Sequence, residues 1–487
     1  MAERDAGGVA PQSHLNAPKG VVAVVLAAGK GTRMRSNLPK VLHPLLGEPM
    51  ICHVLRALRY AGIPPERTVV VVGYGGEQVA RVVSSQGSYL LANQTEQLGT
   101  GHAVKYAEPL LQKLEREEPG AVQQVLILFG DGPLVRSSTL RQLLNYHLAS
   151  RPLITMITTE AADPTGYGRI IRDKEGHFQQ IIEEVELTPA QRPIKEINPS
   201  LYLYRAKWLW PALSRLKPSP KKGEYYLTDL PAYAIETKME NGLPSVQTLK
   251  ADFEEVLGIN DRVQLAEAET VLRRRILQEH MLAGVTITDP ATTYISATTK
   301  IAPDTIIEPN THLKENCVIG QNCVIGPNSI LIEATIGDDC IVLASMVEHS
   351  TLENKVTVGP FSHVRPGSYL EEGVHLGNFA EVNRSHLGAR VAQGHFSYIG
   401  DATLGHDVNV GAGTITANFD GKTKNKTIIG NNVFIGSDTV LRAPITVGDE
   451  ASTGAGSVVT KDVQAGVTVV GIPARPIRRK SVESKEE

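Results

Sequence analysis

Three stretches of the 487-residue chain bring together residue types that can do chemistry. The first is Leu26-Ala-Ala-Gly-Lys-Gly-Thr-Arg-Met-Arg-Ser-Asn-Leu-Pro-Lys40. Small residues let a backbone approach a ligand closely and present its N–H groups to phosphate. Arg33 and Lys40 add positive charge where the charge of a pyrophosphate would build up. The spacing is neither that of a Walker A loop nor GxGxxG, and a Gly-rich turn also serves as plain structure. The second is Asp131 in Gly130-Asp-Gly-Pro-Leu, directly after the apolar run 125–129. A carboxylate there would stand at the carboxyl edge of a strand, where α/β sheets place ligands, although Asp after Gly is also a frequent turn residue. The third is His395 in Gly394-His-Phe-Ser-Tyr398. A neutral imidazole near pH 7 suits a general base. Seven histidines lie between 312 and 406, and their spacing does not match an 18-residue repeat, so they do not stack as a metal ladder; most read as solvent-facing positions.

The elements that must carry these residues fall into two patterns. Up to about residue 258, strands at 21–26, 69–72 and 125–129 alternate with helices at 49–61, 101–114 and about 137–148. Such alternation predicts an α/β, Rossmann-like domain with a mostly parallel sheet. Residues 261–281 contain strong helix formers and no Gly or Pro, and read as a helical connector. After about residue 286 the period becomes six: Ile319-Gly-Gln-Asn-Cys-Val leads into Ile325-Gly-Pro-Asn-Ser-Ile, and Ile429-Gly-Asn-Asn-Val-Phe into Ile435-Gly-Ser-Asp-Thr-Val. This is the hexapeptide repeat of a parallel β-helix, whose aliphatic residues fill a triangular prism. The expected organisation is a mobile tail at 1–19, the α/β domain at 20–258, a connector at 259–285, the β-helix at 286–475 and a polar tail at 476–487.

Composition excludes several classes. The net charge is −3, with 49 Lys plus Arg against 52 Asp plus Glu, which gives no electrostatic footprint for nucleic acid; the basic end at Arg475, Arg478, Arg479 and Lys480 reads as solvated. No apolar run approaches the roughly 18 residues of a membrane helix. The apolar run 21–28 lacks the preceding positive charge of a signal peptide. Cys52, Cys317, Cys323 and Cys340 form no CxxC pair and read as reduced thiols of a cytoplasmic protein; the last three occupy the small fifth slot of the repeat. Only 8 of the 24 aromatic residues fall in the 202 residues from 286 onward, which a prism interior explains and which makes Tyr398 and Phe419 candidate substrate contacts.

The first stretch resembles the signature of sugar-1-phosphate nucleotidylyltransferases. Gln94-Thr-Glu-Gln-Leu-Gly-Thr-Gly-His, Gly130-Asp-Gly-Pro-Leu, Asp163-Pro-Thr-Gly-Tyr-Gly-Arg, Gly223-Glu-Tyr-Tyr-Leu-Thr-Asp and Gly258-Ile-Asn-Asp-Arg follow in the same order. With the hexapeptide half, residues 20–475 resemble the bacterial bifunctional UDP-N-acetylglucosamine pyrophosphorylase and glucosamine-1-phosphate N-acetyltransferase family. That resemblance implies acetyl transfer from acetyl-CoA to glucosamine 1-phosphate, then uridylyl transfer from UTP with release of pyrophosphate. It implies Leu26, Ala27, Ala28, Gly29, Arg33 and Lys40 on nucleotide and phosphate, and Gln94, Gly99 and Thr100 on uracil. Phe129 and Gly130 would border the site, with Gly168, Glu183 and Asn198 on the sugar and Asp131 and Asn260 on Mg²⁺. For acetyl transfer it implies His395 as base and Arg365 on the sugar phosphate. Asn383, Tyr398, Asn409, Asn418 and Phe419 would surround the sugar, and Ala412, Ser437 and Ala455 would line the acetyl-CoA groove. The β-helix of such proteins winds left-handed, and the family assembles as homotrimers with the acetyl site between subunits.

This chain departs from that family in three places. The position two residues after Glu381, usually Lys, is Asn383, with Arg384 next; by strand alternation Arg384 should face away. Gly471-Ile-Pro-Ala-Arg475 offers no clear match to the family's arginine on acetyl-CoA, and Pro199-Ser200 stands where Thr-Gly is common. Two further readings therefore stay open: a nucleotidylyltransferase whose β-helix only trimerises, and a non-catalytic scaffold like subunits of the eukaryotic translation-initiation exchange factor.

Overall fold

The strand Val21–Ala27 is apolar at every position because it is buried on both faces. Its alternate side chains enter two different cores: Val21, Ala23, Val25 and Ala27 on one side of the sheet, Val22, Val24 and Leu26 on the other. It pairs in parallel with Thr68–Val72 and Gln124–Phe129, which places Ala27, Val72 and Phe129 at one edge of the sheet. Leu90–Asn93 extends this parallel part, and Tyr202–Arg205 joins it antiparallel to Ile154–Glu160. Seven of the ten strands run one way; Glu196–Asn198, Tyr202–Arg205 and Phe178–Ile182 run against them. The helices Met50–Tyr60, Thr100–Glu117 and Ser137–Ser150 cover the faces with their apolar sides. All three lie within a few residues of the expected spans.

The computed structural model describes residues 19–219, 223–237, 239 and 244–477, so residues 1–18 of the expected tail at 1–19 and residues 478–487 of the expected tail at 476–487, Arg478, Arg479 and Lys480 among them, lie outside it. The chain divides into two compact units between Leu272 and Arg273, inside the helix Arg262–Leu282.

The second unit is a left-handed parallel β-helix. Its strands are two to four residues long and stack into three sheets of twelve, ten and nine strands, one per side of the prism. Two-residue strands expose the first side chain and bury the second, as in Val318–Ile319 and His375–Leu376. The buried column Ile307, Ile325, Val342, Val358 and Leu376 runs up one side; full burial of each such residue contributes roughly 1.5–3 kcal/mol. Cys317, Cys323 and Cys340 are fully buried with free thiols, and each Sγ–H donates to backbone carbonyls.

The coil is not a uniform 18 residues. Ile336 pairs with Leu352 (16 apart), Leu387 with Leu404 (17) and Leu352 with Leu370 (18), because single residues are omitted at the corners. The step from Leu404 to Ile429 is 25, and the surplus forms a small hairpin in which Phe419 bridges Lys424. The histidines do not form a ladder: His349, His363 and His386 each meet a glutamate of the preceding coil, and His375 meets Thr357.

Candidate active sites

In the α/β unit the expected residues gather at one edge of the sheet. Leu26 and Phe129 are register partners, and the Gly130 N–H donates to the Leu26 carbonyl at 2.9 Å. The Gly-rich loop then turns through Gly31, in the left-handed region at φ 62°, where a Cβ would meet the Lys40 side chain at 2.6 Å. That close approach brings Lys40 back under the loop. Its ammonium contacts the Asp131 carboxylate and donates to Asn260 Oδ1 at 3.1 Å, while Arg33 donates to the same oxygen at 2.9 Å. Two cations and two hard oxygen donors thus converge from three separate segments.

The residues expected on uracil follow the neighbouring strand Leu90–Asn93 and open the helix Thr100–Glu117. Gln94 is buried, its backbone N–H on the Val72 carbonyl and its amide 3.2 Å from His102 Nδ1. Gly99, at φ 101°, precedes the helix Thr100–Glu117, and a Cβ there would meet the Tyr225 carbonyl at 2.7 Å. Thr100 Oγ1 accepts the Leu227 N–H at 3.0 Å, so the 94–101 segment is fastened along 225–227.

A cavity of about 240 Å³ is lined by Arg33, Phe129, Asp131, Gly168, Glu183, Asn198 and Asn260 among others. Glu183 accepts from Thr228 Oγ1 at 3.0 Å, and the Asn198 amide donates to the Tyr202 hydroxyl at 2.6 Å. Sequence reasoning missed Tyr167 and Ser200, which line the same cavity. Tyr167 had a signal, lying inside the Asp163–Arg169 motif; burial raises its phenol pKa. Ser200 stands at φ 63°, held by its N–H on Asn198 Oδ1 at 3.1 Å. A left-handed backbone explains why glycine is common there and shows that this chain keeps the turn without it.

Asp229, the last residue of the Gly223–Asp229 motif and given no role from the sequence, is half-buried near Glu186 and Glu183, and burial first and those carboxylates second push its pKa up to about 6. The folded value lies above the unfolded one, so the folded state binds the extra proton between about pH 4 and 6. Stability from this group is fully present below pH 4 and is lost as pH rises through 6. Asp229→Asn should therefore raise the thermal midpoint at pH 8, by the equivalent of about 1–2 kcal/mol after solvent screening, and the gain should vanish near pH 4. Melting curves across that range check it.

In the β-helix the expected residues form two columns. Register pairs Ala392, Asn409, Phe434 and Ser452 put His395, Ala412, Ser437 and Ala455 at one position of four successive coils. At about 4.8 Å per coil, this corner column is roughly 14 Å long. The column just before it is Gly377, Gly394, Gly411, Gly436 and Gly454; a Cβ on Gly411 would meet Ser437 N at 2.5 Å. Close stacking leaves no room for a side chain at Gly377, Gly411, Gly436 and Gly454, whereas Gly394 faces open space. His395 is exposed, and among the described residues its ring has no hydrogen-bond partner.

The second column is Arg384, Asp401 and Asn418, at the far corner of the ten-stranded sheet. Arg384 donates to both Asp401 oxygens, at 2.8 and 3.0 Å, and to Asn383 Oδ1 at 3.3 Å. Those bonds hold the Asp401 carboxyl below its usual range. The buried amides of Asn383 and Asn418 both donate to the Tyr398 hydroxyl, at 3.3 and 3.4 Å. Arg365 pairs with Glu381 at 2.8 Å. Strand alternation fails at Arg384 because that residue is at φ 47°, outside the strand Ala380–Asn383, so its guanidinium reaches the Asn383 side after all. The structure does not bring Asn409 to this cluster: Asn409 is on the twelve-stranded sheet and Tyr398 on the ten-stranded one. Phe419 is exposed on the hairpin, with the Lys424 ammonium 5.6 Å from its ring.

These features define a nucleotidyltransferase joined to a hexapeptide acyltransferase. Residues 23–228 match the MobA-like NTP transferase domain, and residues 298–333 and 426–461 match the bacterial transferase hexapeptide of six repeats. Over 449 residues the chain is 46% identical to the Bifunctional protein GlmU of Streptococcus mutans, covering 92% of this chain and 95% of that protein. It is 45% identical to the Bifunctional protein GlmU of Streptococcus uberis, at 92% and 95% coverage, and 48% identical to that of Streptococcus pyogenes serotype M3, at 92% and 94%. The chain belongs to the GlmU family of bifunctional enzymes of UDP-N-acetylglucosamine synthesis, carrying uridylyltransferase and acetyltransferase activities.

Proposed function

We propose that the two activities use the two clusters described above, on glucosamine 1-phosphate, acetyl-CoA and UTP. The observation that carries this reading is the single corner column of His395, Ala412, Ser437 and Ala455, together with the convergence of Arg33, Lys40, Asp131 and Asn260. In the first step the sugar amine attacks the thioester carbonyl, His395 takes the amine proton, and coenzyme A leaves as thiolate. Arg365 and Arg384 face the sugar phosphate, and Tyr398 with Asn383 and Asn418 orients the ring. In the second step a phosphate oxygen of N-acetylglucosamine 1-phosphate attacks the α-phosphorus of UTP and pyrophosphate leaves. No enzyme nucleophile is required; positioning and charge neutralisation supply the rate.

The Asp131 carboxylate and Asn260 amide oxygen fit Mg²⁺, which favours few protein oxygens plus phosphates, and the Lys40 ammonium already touches both as a cation. Magnesium, when bound, would neutralise phosphate charge there. Lys40 and Arg33 would then donate to phosphate oxygens, while Glu183 and Asn198 hold the sugar and Gln94, Gly99 and Thr100 the uracil.

Assembly is part of the same reading. Phe361, Phe379 and Phe396 are exposed one coil above another beside His395, the first two stacked at 5.4 Å, and a homotrimer would cover them. A neighbouring subunit would also supply an Asn409 to the Tyr398 cluster. The four free cysteines accord with a cytoplasmic location, and no described helix is long and apolar enough to cross a membrane.

Two separate assays test the assignment. Glucosamine 1-phosphate with acetyl-CoA should release coenzyme A without UTP, and N-acetylglucosamine 1-phosphate with UTP should release pyrophosphate without acetyl-CoA. Coenzyme A release that does not depend on the amino sugar would leave the β-helix as a trimerising element only. Arg384→Ala should raise KM for glucosamine 1-phosphate about 10- to 100-fold, the worth of one charge-assisted contact, and leave KM for acetyl-CoA unchanged.

A further inference from the structure

The inside position of the coil that carries His395 is not aliphatic. Gln393 follows Ala392 in the column where Leu376 pairs one coil below, and Val410 takes the same place one coil above. Gln393 is fully buried, and its Oε1 has no hydrogen-bond partner among the described residues. A prism interior gives no energetic reason for an amide with an unsatisfied acceptor, because burying such a group costs stability.

The amide nitrogen shows what the residue does. Gln393 Nε2 donates to Ser397 Oγ at 2.7 Å and to the Ser397 carbonyl at 3.3 Å. Ser397 Oγ–H in turn donates to the His395 carbonyl at 3.0 Å. The neighbouring coils supply an internal comparison. Thr414 and Thr439 occupy the position of Ser397, and their hydroxyls donate to the glycine carbonyls of Gly411 and Gly436, the counterparts of Gly394, at 2.7 and 2.6 Å. The inside residues of those coils are Val410 and Ile435. Of these three coils, the one with glutamine inside is the one whose hydroxyl points one residue further on, at the histidine. We infer that Gln393 is a positioning residue for acetyl transfer: by donating to Ser397 it turns that hydroxyl onto the His395 carbonyl and sets the backbone from which an imidazole lacking a side-chain partner projects.

This inference rests on His395 being the base, and the experiment separates the two. Gln393→Leu restores the aliphatic pattern of the column, so the thermal midpoint should stay or rise and uridylyl transfer should be unchanged. Acetyl transfer should nevertheless lose about tenfold or more in kcat, with KM for both substrates unchanged, because misplacement of a reacting group is costly. Ser397→Ala should show the same loss, the double variant no further loss, and Ser397→Thr, which keeps the hydroxyl, near-normal turnover. Full kcat in Gln393→Leu, beside a large loss in His395→Ala, would overturn the positioning role alone. A normal rate in His395→Ala would overturn the assignment of the base.

Discussion

His395→Ala loses acetyl transfer by about 10²–10⁴-fold, the range expected for removal of a general base, while uridylyl transfer keeps its rate. The expectation rests on position. His395 stands at the end of the column that Ala412, Ser437 and Ala455 continue, three residues before Tyr398 on the adjoining sheet. Its side chain is exposed and unpaired among the described residues, so truncation removes no core contact and leaves no buried group unsatisfied. Loss of activity would therefore be chemical rather than structural. Coenzyme A release by the purified variant, with circular dichroism as a check on folding, measures it. A rate within about threefold of the parent would reject the assignment.

Asp131→Ala loses uridylyl transfer by about 10³-fold or more and leaves acetyl transfer intact. The carboxylate pairs with Lys40 and lines the cavity shared by Glu183 and Asn198, so its removal takes away the carboxylate proposed to hold Mg²⁺. It also frees Lys40, whose remaining partner is Asn260 Oδ1. Asp131→Asn keeps the volume while losing the charge, and should be nearly as inactive; that result separates a charge requirement from a packing one. Pyrophosphate release at saturating UTP reports it. Loss of both activities in a folded variant would contradict two independent sites.

Much of this was legible in the residues because it depends on local pattern. The Gly-rich turn could be read because close approach demands small side chains, and Gly31 shows one such approach: the Lys40 side chain lies where a Cβ would be. The β-helix could be read because every coil repeats one inside–outside alternation. What was hidden depends on exceptions to those patterns. Coils of 16 to 18 residues arise from omissions at corners that leave the inside residues undisturbed. Arg384 was expected to face away because strand alternation was applied to a residue that has left the strand for a positive φ. Ser200 keeps a glycine-type turn without glycine, so its residue type gave no hint of cavity lining. The Asp229 pKa is raised first by burial and then by carboxylates 43 and 46 positions away in sequence, Glu186 and Glu183, an environment only the fold creates.

On the proposed assignment, one chain holds two independent sites linked by a diffusible intermediate. The most direct measurement mixes two inactive preparations. His395→Ala alone and Asp131→Ala alone should each fail to convert glucosamine 1-phosphate, acetyl-CoA and UTP into UDP-N-acetylglucosamine. Mixed as folded proteins, they should restore its formation after a lag, with N-acetylglucosamine 1-phosphate accumulating first. No product from the mixture, with each variant still performing its own remaining step, would contradict release of the intermediate between sites; either variant making product alone would contradict the residue assignments.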